Sequence, residues 1–377
     1  MSSEPPVPLF APLALRGVAL RNRIVVSPMQ MYSTREGCIG DWHLAHLGRF
    51  ALGGAGLVMV EATAISPLAR STWHDNGLWN DGHVAAFARL TSLLHEAGAA
   101  AGIQLQHAGR KASSQAPWHG FGPLGDADRE RGEAPWIADG PTTRGWSDAY
   151  PPTRAMTDDD IARLLDDYRA AARRALAAGF DVVELHAAHG YLLHSFLSPL
   201  ANTRTDRWGG DLERRMRLPL AVAAAVRDAW PADRPLFFRM SCVDGVDVGW
   251  SLDDSVVLAQ RLRAAGVDVV DCSSGGMSLP SKSHLVPRRP GFQVPFARRV
   301  RQEAGVATMA VGLIREPEQA NAIVRDGDAD LVALAREMLW DPNWPLHAAH
   351  ALGVGDAWSR WPLQFGWWLA RRGRHRA

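Results

Sequence analysis

The chain has 377 residues and carries 41 Lys plus Arg against 40 Asp plus Glu, a formal net charge of +1 at pH 7, which gives no long-range pull toward nucleic acid or an anionic membrane surface. With 47% hydrophobic and 21% charged residues it holds the material for a large core, so disorder as its main state is excluded. No apolar run reaches the roughly 18 residues of a membrane span.

The three cysteines, Cys38, Cys242 and Cys272, are too scattered for a disulfide scaffold, a Cys-rich zinc site or an iron–sulfur cluster, and a reducing cytoplasm is the expected location. Residues 1–9 hold Glu4 and prolines in place of a basic stretch and an apolar one, so no secretory signal is expected there. Residues 9–20 read as a hairpin turning near Arg16 and Gly17, placed to plug the lower end of the fold that follows.

Short apolar runs rich in β-branched residues then alternate with longer helical patterns, each pair taking roughly 30 to 45 residues outside one long loop. The strand candidates are residues 23–27, 56–62, 102–107, 181–186, 235–239, 268–272, 307–311 and 330–334. They are mostly apolar, as strands covered on both faces of a parallel sheet are. After the third, residues 108–156 are rich in Gly, Pro, Trp and charge without periodicity. A segment that long is a functional loop or locally disordered, and because it leaves a strand's C-terminal end we expect a partial lid. The next helix starts at Thr157, whose spacing to Asp160 is that of a capping box, as is that of Ser251 to Asp254, with Asp a poorer partner than Glu. Ile161, Leu164, Leu165, Tyr168, Ala171, Ala172 and Leu176 keep helical period behind it and Gly179 ends it. Eight such units in succession favour an α/β fold with one closed (β/α)8 TIM barrel domain over 1–377, rather than an open doubly wound sheet. The open sheet also lacks its Gly-x-Gly-x-x-Gly, since Pro28, Met29, Gln30, Met31 and Tyr32 follow the first strand.

Barrel chemistry sits at the C-terminal ends of strands. Those ends supply Ser27, Pro28, Met29 and Gln30, then Glu61 and Ala62, Gln104 and His107, the group His186, His189 and Tyr191, and finally Arg239, Cys272, Gly312, Ala335 and Arg336. The inventory holds a buried cation, neutral donors and a histidine pair, without a carboxylate cluster. A metal-dependent hydrolase begins with His186 and His189, but strand one brings no ligand and the other ends too few acids, so no metal is expected. A Schiff-base aldolase needs a desolvated lysine inside the barrel, whereas Lys111 and Lys282 both fall in loops, after strands three and six. A flavin enzyme needs amide partners for a pyrimidine edge, a cation for the charge of reduced flavin and a phosphate nest near strands seven and eight. Gln104, Arg239, Gly312 and Arg336 suit those duties. Each has a structural alternative when taken alone: core histidines satisfied by backbone, Arg239 in an ion pair, Gly312 and Arg336 at a turn and the surface, Tyr32 and Tyr191 as packing residues. Arg204, Asp206 and Arg207 read as a structural ion network.

Five segments in order, 22–29 (NRIVVSPM), 60–62 (VEA), 103–111 (IQLQHAGRK), 184–192 (ELHAAHGYL) and 202–210 (NTRTDRWGG), resemble the Old Yellow Enzyme family of FMN-dependent ene-reductases, specifically its compact bacterial class of xenobiotic reductases. The resemblance runs from residue 9 to about residue 341. It implies an FMN along Ser27, Pro28 and Met29, with Ala62 and Gln104 on its polar edge, Arg239 facing N1 and O2, and Gly312, Ala335 and Arg336 on the phosphate. It implies that His186 and His189 donate to the carbonyl oxygen of an α,β-unsaturated substrate, that Tyr32 contacts that substrate, and that Tyr191 protonates its α-carbon. NADPH or NADH would reduce the flavin in the same pocket, which makes ping-pong kinetics the expectation.

Departures from the family pattern are specific. Gln30 stands where this class usually has a cysteine that tunes the flavin, and its amide can hydrogen-bond near N5 and O4 and border the substrate. Ala335 replaces a usual glycine and requires a negative φ. Trp208 replaces a usual tyrosine, and Trp340 occupies a place where some relatives supply an arginine finger to the neighbouring subunit. The tail, 358–377, carries Trp358, Trp361, Trp367, Trp368 and a basic end. The resemblance implies a homodimer or dimer-based homo-oligomer in which Trp368 reaches the partner's substrate, against the alternative of a tail docked on its own barrel. A metal-dependent hydrolase and a flavin-binding barrel without reductase turnover stand as the other readings.

Overall fold

In the computed structural model, which describes residues 7–278, 286–355 and 357–372, the strand candidates become β1 (Ile24–Val26), β2 (Leu57–Ala64), β3 (Ala100–Gln106), β4 (Val182–Ala187), β5 (Leu236–Ser241), β6 (Val269–Ser273), β7 (Ala307–Val311) and β8 (Leu331–Leu334). All pair in parallel with their chain neighbours, and β8 pairs back onto β1, so the sheet closes into a barrel. Around it run α1 (Asp41–Leu52), α2 (Val84–Glu96), α3 (Asp158–Ala177), α4 (Leu192–Leu197), α5 (Leu212–Ala229), α6 (Leu252–Ala264), α7 (Val294–Ala304), α8 (Pro317–Arg325), α9 (Arg336–Trp340), α10 (Trp344–Ala351) and α11 (Leu363–Arg372). Both predicted capping boxes form with Asp as the partner: Thr157 Oγ1 accepts from the Asp160 N–H at 3.2 Å and Asp160 Oδ2 accepts from the Thr157 N–H at 2.8 Å, and Ser251 with Asp254 repeats this at 3.2 and 3.1 Å.

Side chains alternate along each strand, so every second residue points into the barrel. The lowest inward layer is apolar: Val25, Leu57, Met59, Val182, Phe237, Val269, Met309 and Leu331 pack with Leu15 and Leu20 of the N-terminal hairpin, whose strands Leu13–Leu15 and Val18–Leu20 are antiparallel. The hairpin is therefore a plug under the barrel. Two residues further along β4, β5 and β6 the interior turns polar, with Glu184, Arg239 and Asp271, and two residues beyond stand His186, Ser241 and Ser273.

The segment 108–156 is built from short pieces: tight helical turns at Gly109–Lys111, Pro117–His119 and Asp126–Arg131, and a parallel pairing of Asp139–Gly140 with Arg154–Ala155. Arg204 ties it to the barrel by donating to the carbonyls of Pro141 at 2.9 Å and Met156 at 2.8 Å. Arg204 also pairs with Asp206, and Arg207 with Asp158 at 3.0 Å, so these three residues are structural, as expected. In the tail, Trp361 packs near His347 and Trp358 near His350 with ring centroids 5.7 and 5.5 Å apart, while α11 leaves Trp367 and Trp368 50% and 68% exposed. Lys282 and the basic end 373–377 lie outside the described residues. No helix among the described residues is long and apolar enough to cross a membrane.

Candidate active site

Beyond β4 the chain turns at His189 and Gly190, with φ of 60° and 82°. The turn lies against Gly276, where an added Cβ would meet His189 Cα at 2.1 Å, so only glycine lets the two loops approach this closely. The turn sets the His186 and His189 rings edge to face, centroids 5.1 Å apart, with the Tyr191 ring 4.8 Å from His186. His186 Nδ1 accepts from the Ala188 N–H at 3.3 Å, which leaves the ring proton on Nε2. His189 Nε2 lies 2.7 Å from Ser273 Oγ, and its backbone N–H donates to Ser241 Oγ at 3.0 Å. One His189 nitrogen is thus engaged by Ser273, which follows Cys272 at the end of β6 and has no role assigned from the sequence. Burial, reinforced by the charge of Arg239, holds both imidazoles well below the usual histidine range. At neutral pH they are uncharged hydrogen-bond donors.

The polar layer beneath them corrects one expectation. No carboxylate cluster was foreseen, yet Glu184 and Asp271 are both fully buried there. Gln104 Nε2 donates to Glu184 Oε1 at 2.7 Å, and Arg239 Nε lies 2.9 Å from Asp271 Oδ2. Burial, with the neighbouring Asp271 charge, pushes Glu184 up to about 8. The two acids sit mid-strand, two residues below His186 and Ser273 near the strand ends, and the pleat that aims those ends inward aims these as well. Arg239, expected at a strand end, lies in this same layer two residues short of the end of β5; it is ion-paired, as its structural alternative held, and lines the cleft from within the barrel.

At the end of β2 the register with β3 shifts between Val60 and Thr63, a bulge that redirects Glu61 and Ala62. Glu61 accepts a short hydrogen bond from the Met31 N–H and stands 3.5 Å from His43 Nε2, which anchors the loop leaving β1. Ser27 is buried, its N–H donating to the Leu334 carbonyl at 2.9 Å, and Pro28 and Met29 are half-buried beside it. Gln30 reaches across to β4. Its Oε1 accepts from the Tyr191 hydroxyl at 3.0 Å and the Tyr32 hydroxyl at 3.4 Å, and its Nε2 donates to Asp75 Oδ2 at 3.1 Å. Both polar ends of its amide are therefore engaged by protein.

Two adjoining cavities of about 450 and 360 Å³ share Val311, Gly312, Leu313 and Arg336. Together they run from Trp340 and Ala335 along the ends of β8 and β7 to Ser273, Arg239 and His189. Ala335 has φ −111°, so the replacement of glycine is accommodated. Arg336 is exposed, and its guanidinium has no hydrogen bond or ion pair among the described residues. An elongated cleft with the Arg336 cation where its two parts join, and neutral donors with a buried cation at one end, fits an anionic, ring-bearing molecule such as FMN.

Sequence reasoning passed over Lys111 as a loop lysine. Its Nζ donates to the His189 carbonyl at 3.0 Å and lies 4.8 and 5.2 Å from the Trp146 and Tyr191 ring centroids, and burial lowers it to about 8. Its place in the 103–111 motif was the available signal. Trp146 Nε1 donates to the Gly276 carbonyl at 3.0 Å and the Trp118 ring meets Tyr32 edge-on at 5.8 Å, so the segment 108–156 reaches the site at three points. Trp368 does not join the site within its own chain and contacts the Trp367 ring.

Residues 8–353 match the family model described as the NADH:flavin oxidoreductase / NADH oxidase family. The chain belongs to this family, the Old Yellow Enzymes. Relatives include an NADPH dehydrogenase of Geobacillus thermodenitrificans (strain NG80-2), 43% identical over 348 residues, 92% of this chain and 95% of the relative. An NADPH dehydrogenase of Bacillus subtilis (strain 168) is 40% identical over the same shares. Among solved structures, morphinone reductase matches with a TM-score of 0.74 at 27% identity, over 94% of this chain and 92% of that one, and it has also been solved in complex with tetrahydroNAD. A 2-naphthoyl-CoA reductase shares the fold, with a TM-score of 0.81 at 24% identity over 93% of this chain and 53% of that longer one. As an Old Yellow Enzyme, the protein is an oxidoreductase with FMN as cofactor and a nicotinamide as reductant.

Proposed function

We propose that the protein reduces the C=C bond of α,β-unsaturated carbonyl compounds, or of similarly activated alkenes, as an FMN-dependent NAD(P)H ene-reductase. The carrying observation is the pair of neutral imidazoles, His186 and His189, facing one another beside buried Arg239. Bound FMN supplies the hydride for the β-carbon and regains it from NADPH or NADH. In this reading Ser27, Pro28 and Met29 would lie along the flavin ring, Ala62 and Gln104 would meet its pyrimidine edge, Arg239 would face its negative charge, and Gly312, Ala335 and Arg336 would take the phosphate. The Arg336 guanidinium, without a hydrogen bond or ion pair among the described residues, and the continuous cleft support this assignment.

The chain's own residues then divide the work. His186 and His189 hold the substrate oxygen and receive the charge that hydride arrival pushes onto it; losing one such donor costs on the order of 10²-fold in rate. Tyr191, kept protonated by burial, delivers a proton to the α-carbon. Tyr32 and Gln30 border the substrate, and the segment 108–156 acts as a lid that excludes water. Exposed Leu363, Phe365, Trp367 and Trp368 on one helix leave large apolar side chains bare of the kind that a partner covers, which supports a homodimer with Trp368 entering the neighbouring site. Free Cys38, Cys242 and Cys272 accord with a cytoplasmic location.

Anaerobic stopped-flow is the test. NADPH bleaches the bound flavin and cyclohexenone restores its colour; flavin that is reduced normally and left reduced by a panel of enones overturns the alkene reading and leaves the oxidoreductase. Trp368→Ala lowers enone affinity in dimers, and unaltered kinetics would remove that residue from the site.

A further inference from the structure

Asp75, 2% exposed, accepts from the backbone N–H of Ser71 at 2.6 Å, the backbone N–H and hydroxyl of Thr72 at 3.1 and 2.7 Å, and Gln30 Nε2 at 3.1 Å. These hydrogen-bond partners all donate, so the carboxyl accepts from Gln30 and thereby decides which way the amide points: NH2 toward Asp75, carbonyl toward Tyr191 and Tyr32. That carbonyl takes the Tyr191 hydroxyl at 3.0 Å and the Tyr32 hydroxyl at 3.4 Å, one for each lone pair. The Tyr191 hydroxyl, which also lies against Ser71, makes the shorter of the two bonds, and its bond to Gln30 holds the Tyr191 oxygen in space. The bridge spans the ends of β1 and β4, which are not adjacent strands. A cysteine at position 30 is too short to touch Asp75 and Tyr191 together, so the device belongs to this chain's departure from its class.

We propose that Gln30 is a positioning residue for proton delivery by Tyr191, with Asp75 acting through it by fixing the orientation of the amide. The inference rests on the reading of Tyr191 as proton donor. In the step it serves, the Tyr191 O–H bond breaks as a C–H bond forms at the α-carbon, the electron pair coming from the enolate, and the phenolate regains a proton from solvent. No electrons leave or enter. Gln30 holds the phenol oxygen within reach of the α-carbon before the substrate arrives, and releases the hydroxyl proton as the carbon takes it.

The FMN holoenzyme is reduced anaerobically and reoxidised in parallel by cyclohexenone, which needs a proton on carbon, and by ferricyanide, which needs none. Gln30→Met keeps the bulk and removes the polar atoms. The expected result is that the ratio of cyclohexenone to ferricyanide reoxidation rates falls by at least about tenfold, with a larger solvent deuterium isotope effect on the enone step. In a Tyr191→Phe background the same substitution leaves the ratio unchanged. Asp75→Asn lowers the ratio in the parent and leaves it unchanged in Gln30→Met. A general structural role slows both acceptors together, and that outcome, or an unmoved ratio, overturns the proposal. If Tyr191→Phe alone leaves the ratio unmoved, it is the proton-donor reading that fails.

Discussion

Arg239 and Asp271 stand level on adjacent strands, guanidinium Nε 2.9 Å from the carboxylate, in a layer where Glu184 is the next acid around the barrel. Removing one partner of a buried pair ordinarily costs about 3–5 kcal/mol because a charge is left alone. Here a substitute is at hand. The Asp271 charge is one reason the Glu184 carboxyl resists ionisation, and Arg239 pulls the other way; without Asp271, Glu184 ionises and pairs with Arg239. Asp271→Asn is therefore expected to lose less than about 3 kcal/mol, and the double variant with Glu184→Gln the full 3–5 kcal/mol or so. Urea unfolding at pH 7 measures both.

The same carboxyl governs alkaline behaviour. Glu184 is raised from 4.5 to about 8, so the folded state binds a proton that the unfolded chain has released. Its contribution to stability is whole below pH 4.5 and is lost as pH rises through about 8. Melting curves of parent and Glu184→Gln across pH 5 to 9 are expected to diverge up to about pH 8, in favour of the variant, and then run parallel. Curves that stay parallel throughout would show that Glu184 ionises normally.

Acid works through the histidines. Burial lowers His46 and His107 from 6.5 to about 4 each and takes His186 and His189 well below 6.5. A depressed histidine contributes stability above pH 6.5 that disappears as pH falls toward 4, because the unfolded chain takes up the protons. Unfolding free energy is expected to drop between pH 6.5 and 4.5 with net uptake of more than one proton on unfolding. A flat profile across that window would count against buried neutral imidazoles.

Gly276 tests the placement of His189. A Cβ there would stand 2.1 Å from His189 Cα and 2.2 Å from its carbonyl carbon, on a backbone with φ 103°. Gly276→Ala is expected to shift the imidazole and cost on the order of 10²-fold in enone turnover with an unchanged far-UV spectrum.

Periodicity and punctuation made the barrel legible: each strand lies within two residues of its sequence estimate, because apolar strands buried on both faces leave a plain signal. His186, His189 and Tyr191, which follow one another at the end of a single strand, could be grouped from sequence for the same reason, and the structure sets their rings side by side. Glu184 and Asp271 stayed hidden, since a charged residue inside an apolar run carries no mark of the cation it will face on the adjacent strand. The partners of Gln30 were equally invisible. Asp75 and Tyr191 are brought to it by loops from β2 and β4, and closure of the barrel, not local sequence, joins them.

The segment 108–156 places Trp118 against Tyr32 and Trp146 against Gly276. Indole emission depends on polarity and on nearby rings, so these two side chains make the mouth its own optical reporter. A colourless ligand that parts Trp146 from Gly276 can be followed by fluorescence against a Trp146→Phe reference, with no chromophore added and no turnover required.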